Sequence, residues 1–201
     1  MQFDHQDVSR ETSDRLETFA QLVRKWTAKI NLISRNTVGE IWDRHIRDSM
    51  QLLDLAPDFD HWADLGSGGG FPGVVIAILA KEGSARPKFT LVESDLRKAA
   101  FLRTAVRELD LDATVLAERI ENLSPLNANV LSARALADLT TLVSFADVHL
   151  APTGTAIFPK GRNWREEHRK AQEAWSYSLS PVDSRTDEDA AILIIKDIKR
   201  V

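Results

Sequence analysis

Cysteine is missing from this chain altogether. That excludes a disulfide framework, a thiolate metal site and any thiol nucleophile. No apolar run approaches the roughly 18 residues of a membrane span. The N-terminus, with Asp4, His5 and Asp7, lacks the basic-then-apolar layout of a signal peptide, so a cytoplasmic protein with no membrane partner is expected. Positive charge is not in excess either. The formal net charge of -4 excludes a protein that coats nucleic acid by bulk electrostatics and leaves only local basic patches for such contact. The five histidines show no ligand spacing, so no metal is expected. Repeats, low-complexity tracts and flexible linkers are absent. What remains, 201 residues at 43% hydrophobic and 28% charged, is the make-up of one globular domain with a modest extension.

Two textures divide the chain. In residues 1–60 the apolar positions Leu16, Phe19, Ala20, Val23, Trp26 and Ile30 recur every three or four residues and predict a helix over Ser9 to Ile30. Thr37 and Glu40 have capping-box spacing and predict a second helix, with Ile41, Trp42, Ile46, Met50 and Leu53 as its buried face, closed by Pro57. In residues 61–201 short apolar runs predict strands at His61 to Leu65, Lys88 to Glu93, Ala113 to Leu116, Asn129 to Ala133, Gly154 to Phe158, Tyr177 to Val182 and Ala190 to Lys196. The intervals between the first five read as helices. The clearest is Asp95 to Leu109, with Leu96, Ala99, Leu102, Val106 and Leu109 in one stripe. Such alternation implies an α/β fold with a mostly parallel sheet covered on both faces. The last two strands are joined too closely for a helical crossover and should form an antiparallel hairpin.

The densest signal is the stretch from Trp62 to Gly73, five glycines in twelve residues directly after the first strand. In a doubly wound sheet such a turn lies at the carboxyl ends of the strands, where a ligand can approach the backbone without meeting Cβ atoms. Gly68, Gly70 and Gly73 satisfy the dinucleotide spacing, with Glu93 placed to grip a ribose. Asp64, Gly66, Gly68 and Gly70 instead match a loop for S-adenosylmethionine, with a carboxylate two positions before alternating glycines. A carboxylate there suits the cationic amino end of a methionine moiety and sits awkwardly near a pyrophosphate. Glycines serving only a tight turn are the plainest reading, although a turn needs one or two.

Read in order, Asn31-Leu32, Arg44-His45-Ile46-x-Asp48-Ser49, the Asp-x-Gly-x-Gly-x-Gly-Phe-Pro-Gly loop, Ser132-Ala133-Arg134-Ala135 and Pro159-Lys160-Gly161 resemble one family. It is the bacterial small-subunit ribosomal RNA guanine-N7 methyltransferases, formerly called glucose-inhibited division protein B. The resemblance runs from about Phe19 to Val201. It implies a Rossmann-like class I S-adenosylmethionine-dependent methyltransferase of seven strands with a C-terminal antiparallel hairpin and an N-terminal helical extension. It implies S-adenosylmethionine as cofactor, N7 of guanine 527 in 16S ribosomal RNA as target, and the RNA or the small ribosomal subunit as partner. Matching positions carry over Gly66, Phe71, Ile120, Glu121 and Arg134 as cofactor contacts. Phe71 replaces the more usual leucine, and Glu93 stands where some members have Asp. The chain is expected to act as a monomer.

The chemistry agrees with that reading. Guanine N7 carries an in-plane lone pair, so in-line displacement at a sulfonium needs positioning and exclusion of water, and no general base. Pyrimidine C5 methylation usually takes a cysteine, which is absent. Exocyclic-amine enzymes place an Asn/Asp-Pro-Pro-aromatic motif after strand four, where this chain reads Ser132-Ala133-Arg134-Ala135. Glu93 is assigned to the ribose hydroxyls, with a solvated strand-end acid as the alternative. Asp64 is assigned to the cofactor's amino end. Arg134, which would oppose the charge developing on guanine, is better used on the cofactor carboxylate, an RNA phosphate or guanine O6, a surface ion pair being the alternative. His45, Asp48 and Ser49 share a helix with Arg44, which pairs with Asp48 at i, i+4. These residues, with Arg134 and Lys160, are candidates to position the substrate. Lys160, Arg162 and Arg165, interleaved with Trp164, read as a patch that holds phosphate and stacks a displaced base, or as a charged helix start. Arg44 is a further RNA candidate, and Arg24, Lys25 and Lys29 read as a solvated helical face. A small-molecule methyltransferase, a nicotinamide-dependent oxidoreductase and an RNA-binding assembly factor with a vestigial pocket are the competing functions.

Overall fold

A computed structural model describes residues 8–201; the first residues of the 1–60 segment, including Asp4, His5 and Asp7, lie outside the described residues. Helix α1 spans Arg10–Thr27, its first turn capped by Ser9, whose side chain accepts from the Thr12 N–H. Leu16, Phe19, Ala20 and Val23 are its buried face, as their spacing requires. The capping box at Thr37 does not form. Residues Arg35–Glu40 make a 3₁₀ turn, and the Thr37 hydroxyl is engaged by the Ser34 carbonyl and the His45 ring.

A π-helical segment, Trp42–Arg47, leads into α2, Asp48–Leu55. Its wider turn explains why Ile41 and Ile46, five residues apart, are both fully buried. The same change of phase buries Leu52 fully and leaves Leu53 half-buried.

The strands are β1 (His61–Leu65), β2 (Lys88–Val92), β3 (Ala113–Leu116), β4 (Ala128–Ala133), β5 (Leu150–Lys160), β6 (Trp175–Asp183) and β7 (Ala191–Arg200). They form one sheet in the order β3-β2-β1-β4-β5-β7-β6. The first five are parallel. Strand β7 inserts antiparallel between β5 and β6. The expected seven-stranded, mostly parallel sheet with a terminal antiparallel hairpin is therefore present. Helices α3 (Gly73–Ala80), α4 (Leu96–Glu108), α5 (Leu139–His149) and α6 (Trp164–Ala171) complete the fold. Side-chain alternation along the strands divides the interior in two. Trp62, Phe89, Leu91, Val130 and Ile157 pack with α1 to α4, whereas Leu65, Val92, Leu131 and Phe158 pack with α5 and α6.

Two expectations fail here. The β3–β4 connection holds only a 3₁₀ turn, Ile120–Asn122, because Pro125 follows too soon for a helix to extend. Leu96 is 71% exposed rather than part of the buried stripe; it is the first residue of α4, directly after the capping Asp95.

One glycine is fixed by packing. Gly70 has φ +84°, and a Cβ there would lie 2.8 Å from Val74 Cγ2 and 2.9 Å from Phe19 Cζ. Gly70→Ala should cost about 2–4 kcal/mol from left-handed strain and overpacking. Gly39→Ala, where a Cβ meets nothing within 4 Å, should stay within about 1 kcal/mol of the parent. Urea denaturation of the two variants checks this, and equal losses would refute it.

Candidate active site

The carboxyl ends of β1, β2 and β4 carry the glycine loop, Glu93 and Arg134 to one edge of the sheet. Below that edge runs a buried polar chain. The Trp62 indole N–H donates to Ser132 Oγ at 2.8 Å, and Ser132 donates on to Asp64 Oδ1 at 2.7 Å. Asp64 Oδ2 accepts the Gly73 N–H at 3.2 Å. The pairing of Asp64 with Ser132 across β1 and β4 sets up this contact. Burial pushes the Asp64 carboxyl up to about 6, against the donors from Ser132 and Gly73. Asp64, 1% exposed, thus spends one oxygen on Ser132 of β4 and the other on the Gly73 N–H at the start of α3. Asp64, read as positioning a cofactor's amino end, ties β1 to β4 and to the start of α3 beneath the loop.

A cleft of about 380 Å³ opens above the loop, lined by Gly66, Gly68, Glu93, Ile120, Glu121 and Leu136 among others. It gathers five of the residues singled out in the sequence. Glu93 Oε2 accepts the Gly68 N–H at 2.9 Å and Oε1 the Asp95 N–H at 2.7 Å. The Gly70 N–H goes to the Ser67 carbonyl. With Gly68, Gly70 and Gly73 N–H groups committed to the protein and a carboxylate at the lip, the loop is a poor cradle for a pyrophosphate. It suits a cationic ligand with ribose hydroxyls, which can use the remaining lone pairs of Glu93. Leu136 lies over Gly66, where a Cβ would come within 2.6 Å of its Cδ1. Gly70 and Phe71 do not line this cleft.

Phe71 lies buried beside the His45 ring, centroids 5.1 Å apart, and under the Arg134 guanidinium, 5.2 Å from its ring. Arg134 donates to His45 Nδ1 at 2.9 Å, to Asp48 Oδ2 at 3.2 Å and to the Arg44 carbonyl at 3.3 Å. Because arginine only donates, His45 Nδ1 must accept, so Nε2 carries the proton toward Thr37 Oγ1 at 3.0 Å, and Thr37 donates to the Ser34 carbonyl. Burial first, and then the charge of Arg134, push His45 down to about 4. The ring is neutral near pH 7. Asp48 Oδ1 accepts from Thr186 at 2.7 Å and Gln51 at 3.0 Å, which ties the β6–β7 turn to the same group.

A second cleft, of about 340 Å³, is lined by Arg44, Asp48, Arg134, Ala135, Lys160 and Glu167 among others. Lys160 is paired with Glu167 at 2.6 Å and donates to the Ala137 carbonyl. The rest of the basic patch does not converge here. Arg162 pairs with Asp189 at 2.9 Å, Arg165 stacks on Trp164 at 4.4 Å, and Trp164 is 8% exposed, so its ring serves the core and is no platform for a base. Arg44 pairs with Glu40, not with Asp48. Ser49 is buried against the His45 carbonyl. Sequence reasoning took Thr37 for a helix cap and did not single out Thr186, Glu167 or Leu136, whereas Ser132 sat inside a quoted motif.

The GidB family, rRNA small subunit methyltransferase G, matches residues 12–188. The chain belongs to this family. Ribosomal RNA small subunit methyltransferase G of Ruegeria sp. strain TM1040 is 51% identical over 195 residues, 97% of this chain and 95% of the relative. That of Cereibacter sphaeroides strain ATCC 17025 is 53% identical over 196 residues, 97% and 94% of the two chains. Among solved structures, ribosomal protein L11 methylase of Lactobacillus delbrueckii subsp. bulgaricus aligns with TM-score 0.58 at 16% identity, covering 78% of each chain. M. jannaschii TYW2 in complex with AdoMet aligns with TM-score 0.58 at 10% identity, covering 87% of this chain and 80% of that one. These last two likenesses establish the fold, that of class I methyltransferases. Among the described residues no helix is long and apolar enough to cross a membrane.

The hub formed by Arg134 gives a pH test. A histidine held below its ordinary value of 6.5 stabilises the fold above pH 6.5, and that contribution is lost as pH falls through about 4. His45→Asn keeps an acceptor for Arg134 and removes the titration. The stability difference between parent and variant should be flat above pH 6.5 and shift against the parent toward pH 4, as followed by urea denaturation. His45→Ala strands the Arg134 donor and should cost about 1–3 kcal/mol above pH 6.5, a cost that shrinks toward pH 4 because only the parent carries the titrating ring.

Proposed function

We propose that this protein transfers a methyl group from S-adenosylmethionine to N7 of guanine 527 in 16S ribosomal RNA of the small subunit. The family to which it belongs supplies the methyltransferase class and the small-subunit RNA substrate. The observation that carries the finer reading is the pairing of two adjoining clefts, one carboxylate-lipped over the glycine loop and one flanked by Arg44, Arg134 and Lys160.

Gly66, Gly68, Glu93, Ile120 and Glu121 would hold the cofactor, Glu93 at its ribose. When bound, S-adenosylmethionine supplies a sulfonium methyl whose S–C electron pair returns to sulfur as the N7 lone pair makes the new bond, with no proton to move. The chain's own residues therefore orient the reactants, exclude water and set the local charge. Guanine becomes cationic as the bond forms, and a bare guanidinium beside it would oppose the reaction. Asp48 at 3.2 Å offsets Arg134, and Glu167 at 2.6 Å offsets Lys160, which leaves the cleft floor close to neutral. Arg44, 53% exposed at its side chain and paired among the described residues with Glu40 at 3.5 Å, is the cation best placed for an RNA phosphate. Arg162 and Arg165 extend that contact outside the cleft. The N-terminal segment, mainly helical where it is described, serves as an extension of the methyltransferase part, 61–201, and the enzyme acts in the cytoplasm as a monomer.

Small-subunit RNA carrying 7-deazaguanine at position 527 tests the target atom. Labelled methyl should be incorporated into the parent RNA and fall at least about a hundredfold on the deaza RNA. Undiminished transfer would overturn the assignment to N7.

A further inference from the structure

Among the described residues the two clefts share one lining residue, Ala135. Its backbone is left-handed, with φ +52°. The other non-glycine residues at positive φ are Asp110, Asn127 and Asp197, types whose short polar side chains tolerate that region. Alanine has no such compensation, and glycine would adopt the same turn without strain. Strain of this kind persists only where its surroundings over-determine it. Both flanks do so here. Arg134 is fixed by His45, Asp48 and the Arg44 carbonyl. On the other side Lys160 binds the Ala137 carbonyl at 3.0 Å, and Glu167 Oε2 accepts the Leu139 N–H at 2.8 Å. Leu136 meanwhile lies over Gly66 on the donor side.

From this arrangement we infer that Ala135 is a positioning residue for methyl transfer: its β-carbon, held at the boundary of the donor and acceptor clefts, sets the separation of the two reactants. The inference rests on the functional reading above. A group held at a boundary affects the approach of the reactants and not the affinity of either one alone. The expected signature is a loss in kcat with unchanged binding.

Ala135→Gly relieves the backbone and should fold. Its Tm should equal or exceed that of the parent, and calorimetry should give an unchanged Kd for S-adenosylhomocysteine. KM for the RNA should stay within about twofold, while kcat falls about tenfold or more, since displacement by about 1 Å can cost about a hundredfold. Ala135→Ser, which keeps the β-carbon, should retain kcat within about threefold. Parental kcat in the glycine variant would overturn the inference. So would a loss shared equally by the serine variant, or one accompanied by weaker S-adenosylhomocysteine binding or a lowered Tm. If the parent protein itself transfers no methyl to this RNA, the functional reading fails instead, and the two failures are distinguishable.

Discussion

The guanidinium of Arg134 is the point on which the site's construction depends. It stands just past the end of β4, and its partners, His45, Asp48 and the Arg44 carbonyl, all come from the π segment and the start of α2. Asp48 in turn holds Thr186 of the β6–β7 turn. One side chain, 19% exposed, thereby fixes the N-terminal helices and the terminal hairpin against the parallel sheet. A planar cation with several donors can do this because each partner accepts along a different N–H direction. Neutral His45 is part of the same arrangement: protonation would put a cation against Arg134 and remove an acceptor.

The glycine loop shows how a motif can be right in place and different in use. Its backbone is opened at the sheet edge, but much of the hydrogen-bonding capacity expected to meet a ligand is directed inward. Asp64 holds Gly73, Glu93 holds Gly68, and Leu136 rests on Gly66. The glycines serve close packing as much as access, since Gly70 is crowded by Phe19 and Val74. What stays open to a ligand is a lip with a carboxylate, which favours a cation over an anion.

The basic residues divide in a way that linear order did not reveal. Lys160 and Arg162 are two positions apart, yet Lys160 lies in the cleft against Glu167 and Arg162 faces outward against Asp189. Trp164, read with them as a stacking surface, is drawn into the core of α5, α6 and the sheet. Pairing of the cleft's cations with carboxylates suits a reaction that creates positive charge on its acceptor.

Much of the fold was legible because strand and helix periods are local properties: β1 and β3 begin and end where their apolar runs do, and α4 starts at its capping Asp95. The glycine loop and Glu93 were legible for a similar reason, since each follows directly from the end of a strand, whereas Ile120 and Glu121 were marked only by the family resemblance. What sequence could not decide were contacts between segments far apart in the chain. The use of Thr37 on His45 instead of a helix cap, the π turn that buries Ile41 with Ile46, and the meeting of Arg134 with Asp48 depend on how the helices settle on the sheet. Residue identity and spacing determined which elements form and which edge of the sheet carries the chemistry. Tertiary packing alone decided which polar groups are consumed in holding that edge together and which remain to meet a ligand, because a hydrogen bond goes to whichever partner burial brings within about 3 Å.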